Sequence, residues 1–160
     1  MDVTQLSRRF PVRNLKEPDV DAIYERSRGH ELFYQYHPPF VTKASIREDM
    51  RALPPGKGMQ DKYYVGFFRG DALLALLDLI LDYPAKGTAH IGLFMLHPQE
   101  PGRGLGSELF REIAAYLQSL GYAAIRIGVD FGNPQSLGFW EKQGFRAVSK
   151  GDYLFMELAL

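Results

Sequence analysis

Hydrophobic positions along this chain switch between a helical and a strand period, and each switch marks an element. Leu105, Leu109, Ile113, Tyr116, Leu117 and Leu120 recur at helical spacing, with Ser107, Glu108, Arg111 and Glu112 on the other side. Gly121 then stops that helix from the position just past its end. Ala123, Ile125, Ile127 and Val129 alternate with Ala124, Arg126 and Gly128, which predicts a half-buried strand. Asn133 before Pro134 predicts a second helix start. An Asn side chain accepts from the orphan amides of a first turn, where proline lacks nothing that is needed. Gly144 ends this helix.

Upstream, residues 10–15 form a short strand candidate and residues 17–28 a helix with Val20, Ile23 and Tyr24 on one face. Residues 29–41 are rich in aromatics and end in His37-Pro38-Pro39-Phe40, which predicts a loop. Thr42 can cap a helix carrying Ile46, Met50 and Leu53, stopped at Pro54-Pro55-Gly56. Residues 63–68 and 72–83 read as a hairpin around Arg69-Gly70-Asp71, followed by a strand over 89–96. Residues 146–149 and 153–160 read as a closing hairpin with Lys150-Gly151-Asp152 at its turn. The order is an antiparallel amino-terminal half and a mixed centre, an α/β (α+β) chain without internal repeats.

Between the strand ending at Leu96 and the helix of Leu105 lies HPQEPGRG, a glycine-rich turn opening directly into a helix. Unpaired N–H groups in a helix's first turn carry partial positive charge, and Gly102, Gly104 and Gly106 remove side chains that would keep an anion away. The turn therefore points to a phosphate-bearing ligand. It is not a Walker loop, since Gly106 is followed by Ser107-Glu108 rather than by Lys and Ser or Thr. It fits the dinucleotide fingerprint loosely, through Gly102, Gly104 and Ser107 with Asp130 ending the next strand, and too little chain flanks it for a full doubly wound sheet.

Composition narrows the class. With 160 residues, 46% of them hydrophobic and 13% aromatic, the chain can bury one core, so residues 1–160 are expected to form a single domain. Formal net charge is zero with basic residues scattered, which gives no electrostatic footprint for nucleic acid or an anionic membrane. There is no cysteine, hence no disulfide framework, thiolate metal site or cysteine acyl intermediate, and no metal is expected. The opening MDVTQLSRRF has no apolar signal core and no stretch is apolar enough to span a bilayer, so the expected location is cytoplasmic. Exposed sheet edges leave monomer and homodimer both open.

The segment downstream of the loop makes the pattern specific. Gly104-Leu105-Gly106 after an apolar strand, a helix, the strand over 123–129, and then Asn133-Pro134-Gln135-Ser136-Leu137-Gly138-Phe139-Trp140-Glu141-Lys142-Gln143-Gly144-Phe145 resemble the GNAT superfamily of N-acetyltransferases. The resemblance covers residues 89–148. It implies a mixed, mostly antiparallel central sheet of six to seven strands flanked by about four helices. It also implies transfer of an acetyl group from acetyl-CoA to a primary amine of a small molecule or peptide by direct attack, with no acyl-enzyme. By the same resemblance the pyrophosphate sits on Gly102, Arg103, Gly104, Leu105, Gly106 and Ser107. The pantetheine arm runs along Phe94, Met95 and Leu96, with Asn133, Ser136 and Trp140 beside the cofactor, and a backbone N–H near Leu96 stabilises the oxyanion.

The chain departs from the family pattern at two places. Pro101 stands where Arg or Gln is usual, with Arg103 available to compensate, and Trp140 stands where many relatives carry a Tyr that protonates the departing thiolate. Indole is no acid, and a thiolate near neutral pH can leave without one. Glu100 reads as a solvated loop acid.

The family often places a Glu fourteen residues before the first glycine of Gly-x-Gly, and His90 occupies that position here, a base candidate with an ordinary pKa near 6.5. Asp78 and Asp82 should share the strand face of Leu76 and Ile80. Asp78 is an alternative base or an anchor for a cationic amine if it faces the acceptor cleft, and a partner for a basic residue if it does not. Tyr34, Tyr36 and His37 belong to the aromatic segment that in the family walls the acceptor site, and Tyr153 is a further acid candidate. The alternatives are a non-catalytic acyl-CoA-binding regulatory module and an oxidoreductase or nucleotide-binding domain using the same loop.

Overall fold

The computed structural model describes residues 1–97 and 104–160. Seven strands form one sheet in the order β1-β2-β3-β4-β5-β7-β6. They are β1 (Val12–Asn14), β2 (Lys62–Arg69), β3 (Ala72–Leu81), β4 (Thr88–Leu96), β5 (Ala124–Val129), β6 (Arg146–Lys150) and β7 (Leu154–Ala159). Every neighbouring pair is antiparallel except β4 and β5, which run parallel. That exception follows from the connection. Helix α4 (Leu105–Ser119) crosses back over the sheet between them, as a parallel pair requires.

The sheet has a core on each face. On one, Leu105, Leu109, Phe110, Ile113 and Leu117 of α4 pack with Trp140 of α5 (Pro134–Lys142) against Leu77, Leu79 and Ile91. On the other, α1 (Val20–Ser27) and α3 (Lys43–Asp49) bring Val20, Ile23 and Ile46 onto Tyr64, Leu73 and Leu76. Caps follow the sequence signals: Thr42 accepts from Ser45 N and Asn133 from Ser136 N, while Gly121 and Gly144 adopt left-handed φ of 88° and 95° beyond their helices.

Two expectations are corrected. The segment over 29–41 is not all loop, because Glu31–Tyr36 forms a short helix, α2, bringing the α-helices among the described residues to five. Its aromatics pack on one another, Phe33 edge-on to Tyr34 at 5.0 Å and Phe33 against His37 at 5.3 Å, and that packing holds a turn that its composition disfavours. Asp82 does not continue the face of Asp78. It lies past the end of β3 with a φ of 55°, and its carboxylate accepts from Gly87 N at 2.8 Å, closing the turn into β4.

Candidate functional site

The site is opened by one extra residue. Along β3 and β4 the register shifts so that Asp78 faces Leu93 while Leu79 faces Ile91, leaving Gly92 as a bulge. A Cβ on Gly92 would lie 2.7 Å from Asp78 Oδ2, so any larger residue there must displace the Asp78 carboxylate. β4 and β5 pair only as far as Ile91 and Ile127, and beyond the bulge they part. His97 N donates to Leu74 O at 2.7 Å, so the alternation of the strand turns the N–H and C=O of Leu96 toward the gap between β4 and β5. His30, at the start of α2, grips that Leu96 carbonyl through Nε2 at 2.5 Å. Arg26 contacts His97 next to it.

Two cavities meet at this gap. The first, of about 710 Å3, is lined by Phe94, Met95 and Leu96 of β4, by Gly104, Leu105, Gly106 and Ser107 at the start of α4, and by Asn133, Ser136 and Trp140. Gly104 has a left-handed φ of 71° and, among the described residues, α4 begins without a side-chain cap, which leaves first-turn amides for a ligand to use. Gly106 permits the close approach of three elements, since a Cβ there would stand 3.2 Å from Phe139 and 3.3 Å from Leu96. Asn133 is buried and its Oδ1 is used by the cap of α5. Pro101, Gly102 and Arg103, with Glu100, lie outside the described residues.

The second cavity, of about 350 Å3, shares Phe33, Phe94, Ser136 and Trp140 with the first. It gathers Tyr34, His37, Asp49, Tyr64, Asp78, Tyr83, His90, Asp130 and Tyr153. Tyr36 is not among its lining residues and lies by Gly132. Trp140 is a wall and not an acid: it is buried, edge-on to Phe110, Phe139 and Phe145. Tyr153 is raised above the usual phenol range by burial and by Asp130 and Asp152, which weakens it as a proton donor.

Asp78 is met by Lys62, whose Nζ donates to both its oxygens at 2.7 and 2.8 Å. Burial still pushes the Asp78 carboxyl up, against the pull of Lys62. Sequence reasoning misses Lys62, although the hairpin turn at residues 69–72 sets a register that puts Tyr64 opposite Asp78 and Lys62 two residues away on the same face. It misses His30 and Asp49 too, and no local motif marks either.

His90 sits edge-on to Tyr83 at 5.4 Å with its Nδ1 buried and unpartnered among the described residues. Burial, and then Arg126 and Lys62, lower it to about 4, so it is a neutral imidazole near pH 7. A histidine lowered on folding contributes stability that is complete above its unfolded value near 6.5 and is lost as pH falls toward about 4. His90→Gln is therefore expected to flatten the loss of stability between pH 6.5 and 4 by up to about 3 kcal/mol, read by urea unfolding across that range.

Residues 19–145 match the model of the acetyltransferase (GNAT) family. The chain belongs to that family. Solved structures share the acetyltransferase fold along nearly the whole chain. An acetyltransferase from Thermus thermophilus is 22% identical with a TM-score of 0.80, over 94% of this chain and 97% of that one. The PaiA N-acetyltransferase of Thermoplasma acidophilum, in complex with coenzyme A, is 20% identical with a TM-score of 0.71, over 94% and 99%. The ribosomal-protein-S18-alanine N-acetyltransferase of Escherichia coli is 16% identical with a TM-score of 0.65, over 92% of each chain.

Proposed function

We propose that this acetyltransferase binds acetyl-CoA in the first cavity and transfers the acetyl group to a primary amine of a small molecule or peptide held in the second. The observation that carries the reading is the junction of the two cavities at Phe94, Ser136 and Trp140, beside the gap between β4 and β5. The diphosphate rests on the first-turn amides of α4, and the pantetheine arm lies along β4 like an added strand. The acetyl carbonyl then sits near the Leu96 N–H, a donor for its developing negative charge.

In the transfer, the amine nitrogen forms a bond to the carbonyl carbon, the carbon–sulfur bond breaks with its electron pair on sulfur, and the proton shed by nitrogen reaches the thiolate through solvent or a neighbouring group. Positioning supplies much of the rate. Asp78 and His90 remain the candidate proton acceptors of the second cavity, Asp78 tied to Lys62 and His90 held neutral. Tyr34 and His37 line the acceptor side.

Two measurements test the reading. Acetyl-CoA and CoA should raise the melting temperature where NAD and ATP do not, since a ligand of the native state stabilises it by mass action. Thiol release from acetyl-CoA should then depend on an added amine. Tight CoA binding with no turnover across a broad amine panel would instead favour a non-catalytic binding module, and stabilisation by NAD or ATP alone would remove both.

A further inference from the structure

The gap between β4 and β5 is crossed by one short helix that is held at both ends. At the start of α2, His30 meets the Leu96 carbonyl at the end of β4 through Nε2, and because a carbonyl only accepts, that nitrogen carries the proton. At its other end, the Nδ1 of His37 lies 3.0 and 3.1 Å from the two carboxylate oxygens of Asp130, the residue that follows β5. Leu96 and Asp130 belong to the two chains that stop pairing beyond Ile91 and Ile127, so α2 joins them where the sheet does not. Between the two clips, Phe33 lines both cavities, while Tyr34 packs with the core of α1 and α3.

The clips matter because the helix is too short to place itself. An isolated helix of six residues does not persist in water, so the position of α2 depends on what its ends and its aromatic rings grip. The step from His30 to His37 covers about 10 Å at the helical rise per residue. That is about two strand spacings, the separation of two strands with one extended chain between them. A pantetheine arm laid along β4 is such a chain. The helix therefore spans the gap at the width that the arm needs, with Phe33 at the junction where acetyl group and amine would meet.

We infer that α2 is a strap tying the parted ends of β4 and β5, and that His30 and His37 are positioning residues which together set the distance between the acyl carbon and the attacking amine. The positioning role rests on the acetyl transfer proposed above. Both histidines act through the placement of the helix: one fixes it to the strand that carries the acyl group, the other to the far side of the acceptor cavity. Releasing either end lets the acceptor wall drift relative to β4, and a misplacement of about 1 Å between reacting groups is enough to slow a transfer that depends on proximity.

The experiment replaces each histidine in two ways. Phenylalanine keeps a ring and removes the nitrogens, whereas His30→Gln and His37→Asn keep an N–H near the lost Nε2 and Nδ1. Amide hydrogen exchange over residues 31–37 needs no substrate. His30→Phe and His37→Phe should each speed exchange along the whole of α2 by about fivefold or more, and the double variant should exchange little faster than the quicker single one, because a strap cut once is already free. His30→Gln and His37→Asn should restore protection. Wild-type exchange in either phenylalanine variant, loosening confined to the cut end, or effects that multiply in the double variant would overturn the strap. A second arm measures steady-state rates with acetyl-CoA and the fastest amine of a primary-amine panel. Each phenylalanine variant should lower kcat by about tenfold while the KM for acetyl-CoA stays within about twofold, and the amide variants should recover kcat. A loss carried by KM alone, or no recovery, would remove the positioning role and leave acetyl transfer standing. Absence of turnover with every amine would refute the transfer and the positioning role with it, and the exchange pattern would still decide the strap.

Discussion

Lys62→Met is expected to lower the unfolding free energy by about 3–5 kcal/mol. The Lys62 side chain is 1% exposed and that of Asp78 11%, so removing the ammonium strands a carboxylate where water barely reaches it. Hydrogen bonds of 2.7 and 2.8 Å disappear with it. The same loss predicts a pH signature. Asp78 is already raised by burial in the wild type, and without Lys62 it rises further. A carboxyl raised on folding gives stability that is fully present below its unfolded value and is lost as pH climbs through its folded value. Lys62→Met should therefore become more stable on acidification from neutral pH. The double variant Lys62→Met/Asp78→Leu should recover much of the stability and lose that slope. Urea unfolding between pH 4 and 8 would decide the matter. A Lys62→Met protein as stable as the wild type at pH 7 would mean that the pair is solvated in solution.

Gly106→Val should weaken CoA binding by about tenfold or more, since it displaces the amides on which the diphosphate rests. A bare Cβ at residue 106 already stands 3.2 Å from Phe139 and 3.3 Å from Leu96, tighter than ordinary contact, and the two methyls of valine must enter one or both. The first turn of α4 would be levered off the end of β4, moving the amides of Leu105, Gly106 and Ser107 away from where a diphosphate would sit. The readout is the melting shift produced by saturating CoA, with the CD spectrum of the free protein as a check on folding. If the shift survives intact, the diphosphate does not depend on this close approach.

The two changes separate what the sequence carries from what it does not. The periodicity of α4, the alternation of β5, the Asn133 cap and the glycine stops at Gly121 and Gly144 are local. They depend on backbone rules that act over a few residues, which is why they can be read directly. The short helix α2 cannot, because contacts among Phe33, Tyr34 and His37 outweigh its weak intrinsic preference. Asp82 departs from expectation for a related reason. Alternation fails past the end of β3, where a left-handed turn residue reorients the side chain.

The family is legible because Gly104-x-Gly106, Asn133 and Gly144-Phe145 keep their spacing along one chain, and residues 19–145 carry that match. Local pattern was enough for the order of elements other than α2, for the glycine-rich helix start and for the class of the protein, since each is written in neighbouring residues. It took the folded chain to settle that Gly92 forms the bulge beneath a parting pair of strands, that Lys62 and not solvent meets Asp78, and that His30 reaches the Leu96 carbonyl. Those facts join residues that are not neighbours in the sequence. They are consequences of strand register and of which charges end up near one another once water is displaced, and neither can be read from any short stretch of chain.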